Sequence, residues 1–159
     1  MAIDKLPCLS NMIMPNFLIV GAAKSGTTSL YRYLRQHPDI FMPEWKELSL
    51  FIGDPYGPLH RVRKPEYYHK AFSKVQNQTA VGEASTAYLF DEAAPGIIKD
   101  HLGTVRIIII LRDPVAMSYS LYNHQFRKEG ETLENFEAAL AKEDDRLQFP
   151  LTHHQQTLN

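Results

Sequence analysis

Pro15-Asn16-Phe17-Leu18-Ile19-Val20-Gly21-Ala22-Ala23-Lys24-Ser25-Gly26-Thr27-Thr28-Ser29-Leu30 is the stretch that decides how this 159-residue chain folds. Residues 16–20 form a short apolar run that stops at Gly21. A run of this length reads as a strand buried on both faces, as in parallel sheets. A loop of small residues follows. Leu30, Tyr33 and Leu34 then fall at helical spacing until His37-Pro38 ends the pattern. The unit is strand, glycine loop, helix.

The clearest second strand is Val105 to Leu111, with isoleucine at each position from 107 to 110. Asp113-Pro114 follows, a good N-cap and first-turn pair. Val115, Ser118, Tyr119, Tyr122 and Phe126 then predict a helix to about Lys128, ended by Gly130. Thr132 is expected to cap a further helix containing Leu133, Phe136 and Leu140. Its acidic residues (Glu131, Glu134, Glu137, Glu143, Asp144, Asp145) read as a solvated face. Thr79 to Gly82 reads as another strand, and 91–101 as a helix that starts late because of Pro95-Gly96. Residues 38–78 are irregular, as functional segments often are, with short helices expected near 46–52 and 65–73. Tyr67, Tyr68 and Phe72 suit a cleft lining or a core equally well.

Strands alternating with helices imply an α/β protein, a P-loop-like three-layer α/β/α arrangement with a mainly parallel central sheet. Ligands in such folds bind at the carboxyl ends of the strands. Residues 1–14 read as a leader, 15–149 as the domain and 150–159 as a polar tail.

Composition narrows the function. With 44% hydrophobic and 22% charged residues the chain can build a core. A net charge of -1 offers no global basic field, so nucleic acid is not an expected partner and any anion site must be local. The run at 105–111 is too short to cross a bilayer, and no integral membrane segment is expected. The single cysteine, Cys8, suits a reducing compartment, so the expected location is cytoplasmic. The seven histidines make no convincing metal spacing, and no metal is expected.

Gly21-x-x-x-x-Gly26-Thr27-Thr28 has the frame of a phosphate-binding loop. Glycines let the backbone curl round an anion while successive N–H groups and a helix N-terminus point at it. The nucleoside-triphosphate version places lysine directly after the second glycine. Here that position is Thr27, and the lysine lies inside the loop at Lys24. A P-loop kinase or NTPase, with Asp113 as a metal-site acid, is therefore the disfavoured alternative.

Pro15 to Leu30 with His37-Pro38 strongly resembles the opening of the PAPS-dependent sulfotransferases, of the bacterial and heparan-sulfate type; PAPS is 3′-phosphoadenosine 5′-phosphosulfate. The resemblance implies that Lys24 touches the oxygen bridging phosphate and sulfate. It implies that Ser25, Gly26, Thr27 and Thr28 hold the 5′-phosphate. Ile107 to Leu111 with Arg112-Asp113-Pro114 and Ser118-Tyr119-Ser120 resembles the family's 3′-phosphate motif, which assigns that phosphate to Arg112 and Ser120, with Ser118 the weaker choice. The motif often carries a second arginine where Met117 stands.

Lys46-Glu47-Leu48-Ser49-Leu50-Phe51 resembles the family's Lys-Glu-x-x-Phe-Phe segment, which makes Glu47 the expected general base. Gly82-Glu83-Ala84-Ser85-Thr86-Ala87-Tyr88 resembles a further block at the acceptor cleft, with Glu83 the second candidate for the base or for orienting Lys24. Lysine is common in the family where Ala84 stands. The implied activity is transfer of the sulfuryl group of PAPS to a hydroxyl or amine of a small-molecule, lipid or glycan acceptor. The family covers about residues 15–147, and its members are usually longer. The chain is thus expected to be C-terminally truncated, which keeps a non-catalytic PAPS-binding fragment as a third reading.

Overall fold

β1 (Phe17–Gly21) is the strand that the apolar run predicts, and all five of its residues are buried. The computed structural model describes residues 12–53, 65–128 and 131–142. After β1 come α1 (Thr27–Leu34), β2 (Ile40–Phe41), α2 (Pro65–Phe72), β3 (Ala80–Ala84), a 3-10 turn (Thr86–Leu89), α3 (Ala94–Leu102) and β4 (Arg106–Ile109). The strands form a parallel sheet in the order β2-β3-β1-β4. Phe17 stands opposite Gly82 of β3 and Arg106 of β4, so β1 is held from both sides.

Successive side chains of a strand point to opposite faces. Leu18 and Val20 pack on one face with Phe51, Tyr68, Phe72 and Tyr88 and with Ala94 and Ile98 of α3. Phe17 and Ile19 pack on the other with Tyr31, Met42 and Ala84, supported by Leu30 and Leu34 of α1. Helices therefore cover both faces of the sheet, and the fold is the expected three-layer α/β type. Each fully buried large apolar side chain contributes about 1.5–3 kcal/mol. Glycine is required at residue 82, where a Cβ would lie 2.1 Å from Phe17 Cζ and 2.6 Å from Met42 Sδ.

The helix expected near 46–52 does not form. The Glu47 N–H donates to the Ala84 carbonyl at 2.9 Å. The Ser49 N–H donates to Ser85 Oγ at 3.0 Å, Phe51 N–H to the Tyr88 hydroxyl at 3.5 Å, and Gly53 N–H to Asp91 Oδ2 at 2.8 Å. Every second amide is spent on residues 84–91, so the segment is an irregular strap and cannot close the i to i−4 ladder of a helix. It buries Leu48, Leu50, Phe51 and Ile52. β3 reaches two residues beyond the expected 79–82, and α3 starts late, with Pro95 in its first turn. Tyr68 and Phe72 belong to the core, whereas Tyr67 is exposed.

The described residues from Arg112 to Lys142 belong to a second compact unit. Its α4 (Pro114–Arg127) starts as the sequence predicts, with Asp113 Oδ1 accepting the Ala116 N–H at 2.8 Å. α5 (Phe136–Ala141) starts later than expected. Its cap is Asn135 rather than Thr132: Asn135 Oδ1 accepts from the N–H groups of Glu137 at 2.8 Å and Ala138 at 3.2 Å. Glu131 is buried and not on a solvated face; its carboxylate accepts the N–H groups of Thr132 and Leu133, both at 2.9 Å. Phe136 meets Tyr119 edge-on at 5.3 Å and Tyr122 at 5.5 Å, which joins α5 to α4. Glu143, Asp144, Asp145, the polar tail and nearly all of the leader lie outside the described residues.

Candidate active site

The glycine loop occupies the carboxyl end of β1. Its base is fixed by two backbone bonds, from Ala22 N–H to the Ile110 carbonyl and from Ile110 N–H to the Gly21 carbonyl, both 2.8 Å. Lys24 takes up a left-handed conformation with φ 59°. Gly26 does so with φ 96° and opens α1 without a side-chain cap. The first amides of a helix have no partner within it, and their dipoles favour negative charge. Gly26 and Thr28 are exposed, and a Cβ on Gly26 would meet nothing within 4 Å. An uncapped helix start, open space and a loop lysine fit a phosphate.

The strap brings a second cation and a carboxylate to this loop. Lys46 Nζ donates to Thr27 Oγ1 at 3.3 Å and pairs with Glu47 Oε1. Glu47 Oε2 accepts the Thr86 N–H at 2.7 Å. Glu47 has φ 62° and Ser49 φ 51°, conformations that side-chain-bearing residues seldom adopt. The bonds to Ala84, Ser85 and Thr86 hold the strap in that shape. The Glu47 side chain is 42% exposed, so its carboxylate can meet an incoming group. Lys46 is a residue of this arrangement to which the sequence assigns no role. The signal for it is the lysine that opens the Lys-Glu-x-x-Phe-Phe resemblance, directly before Glu47.

Glu83 has a different environment. It is 1% exposed. Its carboxylate accepts O–H groups from Tyr68 at 2.7 Å, Ser85 at 2.5 Å and Tyr88 at 2.8 Å. Burial pushes its pKa up, against the lowering effect of these hydrogen bonds. The same burial raises the hydroxyls of Tyr68 and Tyr88, helped by the neighbouring carboxylate.

Arg112 opens the second unit, and Ser120 lies in the second turn of α4. Beside β2 runs an open groove of about 700 Å³, lined by Arg35, His37, Trp45, Lys70 and Lys74 among others. Trp45 joins this groove to Lys46 and Glu47 along the chain. Among the described residues there is no cluster of three or more His, Cys, Asp or Glu suited to a metal ion. No described helix is long and apolar enough to cross a membrane.

Known proteins resemble this chain in sequence and fold. The solved sulfotransferase from Alicyclobacillus acidocaldarius superposes with a TM-score of 0.80 at 38% identity, over 92% of this chain and 64% of that one. The membrane-associated sulfotransferase kil1 of Dictyostelium discoideum is 31% identical over 95% of this chain and 31% of its own length. The mouse bifunctional heparan sulfate N-deacetylase/N-sulfotransferase 4 is 34% identical over 70% of this chain and 13% of its own. The chain thus spans about a third or less of the curated relatives named here. The Sulfotransferase domain family matches residues 14–155, from just before β1 to beyond α5. With the loop, the strap and the parallel sheet all inside that match, this chain belongs to the sulfotransferase domain family.

Proposed function

We propose that this chain binds PAPS and transfers its sulfuryl group to a hydroxyl or amine. Lys24 neutralises charge on the leaving phosphate, and Ser25, Gly26, Thr27 and Thr28 hold the 5′-phosphate. Arg112 and Ser120 hold the 3′-phosphate. Glu47 is the general base. As the acceptor oxygen or nitrogen bonds to sulfur, its proton passes to Glu47. The sulfur–oxygen bond to the 5′-phosphate breaks, and its electron pair leaves with 3′-phosphoadenosine 5′-phosphate. Such transfer needs a positioned base, and charge stabilisation where charge develops.

The observation that carries this reading is the position of Lys46, bonded to Thr27 at the start of α1 and paired with the Glu47 carboxylate. It links the anion loop and the base at one end of the sheet. Lys24, Lys46 and the helix start supply the positive charge, so the reading calls on no metal. The groove beside Trp45 is the proposed acceptor side, and the acceptor class remains a small molecule, lipid or glycan. The proposed compartment is the cytoplasm, supported by the single cysteine.

The test is incubation with PAPS labelled in its sulfate and a panel of alcohols, amines and glycans. Label moving to an acceptor, and lost in Lys24→Ala, supports the proposal. Nucleotide binding with no transfer to any acceptor favours the non-catalytic reading. Trp45 is the chain's one tryptophan, so its fluorescence reports acceptors that enter the groove.

A further inference from the structure

We infer that Glu83 is a positioning residue: through the Ser85 hydroxyl, this buried carboxylate fixes the strap that presents Glu47. The Ser85 hydroxyl donates to Glu83 Oε1 at 2.5 Å and accepts the Ser49 N–H at 3.0 Å. Donation to Glu83 orients the hydroxyl so that its lone pairs face the strap. The Tyr88 hydroxyl repeats the relay, donating to Glu83 at 2.8 Å and accepting the Phe51 N–H at 3.5 Å. Tyr68 donates to the same carboxylate at 2.7 Å without a bond to the strap. Ser49 and Glu47 both hold positive φ, so the strap keeps its shape only where its amides are held from outside. The next residues on the anchoring side complete the hold: the Ala84 carbonyl accepts the Glu47 N–H at 2.9 Å, and the Thr86 N–H donates to the Glu47 carboxylate at 2.7 Å. Glu83 thereby holds Ser49 and Phe51 through two hydroxyls, and the adjoining backbone of Ala84 and Thr86 holds Glu47 between them. The consequence for turnover rests on the reading of Glu47 as the base; the positioning itself does not.

Amide hydrogen exchange of the whole chain tests the relay. Ser85→Ala removes the link, whereas Tyr68→Phe removes another short bond to Glu83, of 2.7 Å, that bypasses the strap. In Ser85→Ala, exchange at Ser49 and Glu47 should accelerate at least tenfold relative to Leu18 in β1. In Tyr68→Phe, that ratio should stay within twofold of wild type even if the whole chain loosens. A Ser85→Ala ratio within twofold of wild type, or an equal change in both variants, overturns the inference. Labelled-sulfate transfer is measured alongside. If exchange behaves as expected while Glu47→Gln keeps full transfer, the positioning stands and the base assignment falls.

Discussion

Replacing Glu47 with glutamine removes the proposed base and leaves its surroundings almost intact. Glutamine keeps an acceptor for the Thr86 N–H, now 2.7 Å from Oε2, and keeps the length of the side chain. A charge-assisted hydrogen bond becomes a neutral one, a loss of about 1 kcal/mol. The Lys46 pair, on a carboxylate 42% exposed, adds only about 0–1 kcal/mol. Stability should therefore fall by about 1–2 kcal/mol, a decrease in Tm of roughly 2–8 °C for a chain of this size. Turnover should fall far more. Loss of a positioned base costs about 10²- to 10⁴-fold, or roughly 2.7–5.5 kcal/mol of barrier. The two effects separate when initial rates of sulfate transfer, Tm and affinity for 3′-phosphoadenosine 5′-phosphate are measured on one preparation. The expected pattern is a small change in Tm, unchanged nucleotide affinity and at least 100-fold slower transfer. Transfer within tenfold of wild type would refute the assignment of Glu47.

Three further outcomes follow from the geometry. Gly26→Ala meets no neighbour, but its φ of 96° strains a side-chain-bearing residue. It should cost about 1–2 kcal/mol of stability, seen in thermal unfolding, and weaken nucleotide binding in calorimetry. Gly82→Ala should lower the urea midpoint by the equivalent of about 1–3 kcal/mol or more, at unchanged slope, because its Cβ would sit 2.1 Å from Phe17 Cζ. Burial raises the Glu83 carboxyl above its ordinary value of 4.5, so its stabilising contribution is full below that pH and is lost as pH rises through the raised value. The excess stability of wild type over Glu83→Gln should accordingly shrink from about pH 4.5 upward in denaturant titrations, and an excess that grows with pH would contradict this.

What could be read from the sequence was local. β1 is a continuous apolar run, and the start of α4 is written in Asp113-Pro114. The glycine loop is likewise contiguous, so residue order alone reveals its frame. The strap at 46–53 could not be read, because its amides pair with acceptors 36 to 38 residues away at Ser85, Tyr88 and Asp91. For the same reason Glu83 reads as a candidate base. Of its partners, Tyr68 lies 15 residues upstream, and nothing local says that three hydroxyls take up its carboxylate. Thr132 and Asn135 are both good caps by residue type. Asn135 is the one used, accepting the amides of Glu137 and Ala138, while Glu131 accepts those of Thr132 and Leu133 ahead of the helix.

In the proposed function, the loop from Lys24 to Thr28 takes a 5′-phosphosulfate nucleotide and not a triphosphate. Calorimetric titration of the whole chain with 3′-phosphoadenosine 5′-phosphate, and in parallel with ATP and Mg²⁺, tests it most directly. The expected result is saturable binding of 3′-phosphoadenosine 5′-phosphate that is lost in Lys24→Ala, with at least tenfold weaker binding of ATP. Binding of ATP with Mg²⁺ alone would contradict it.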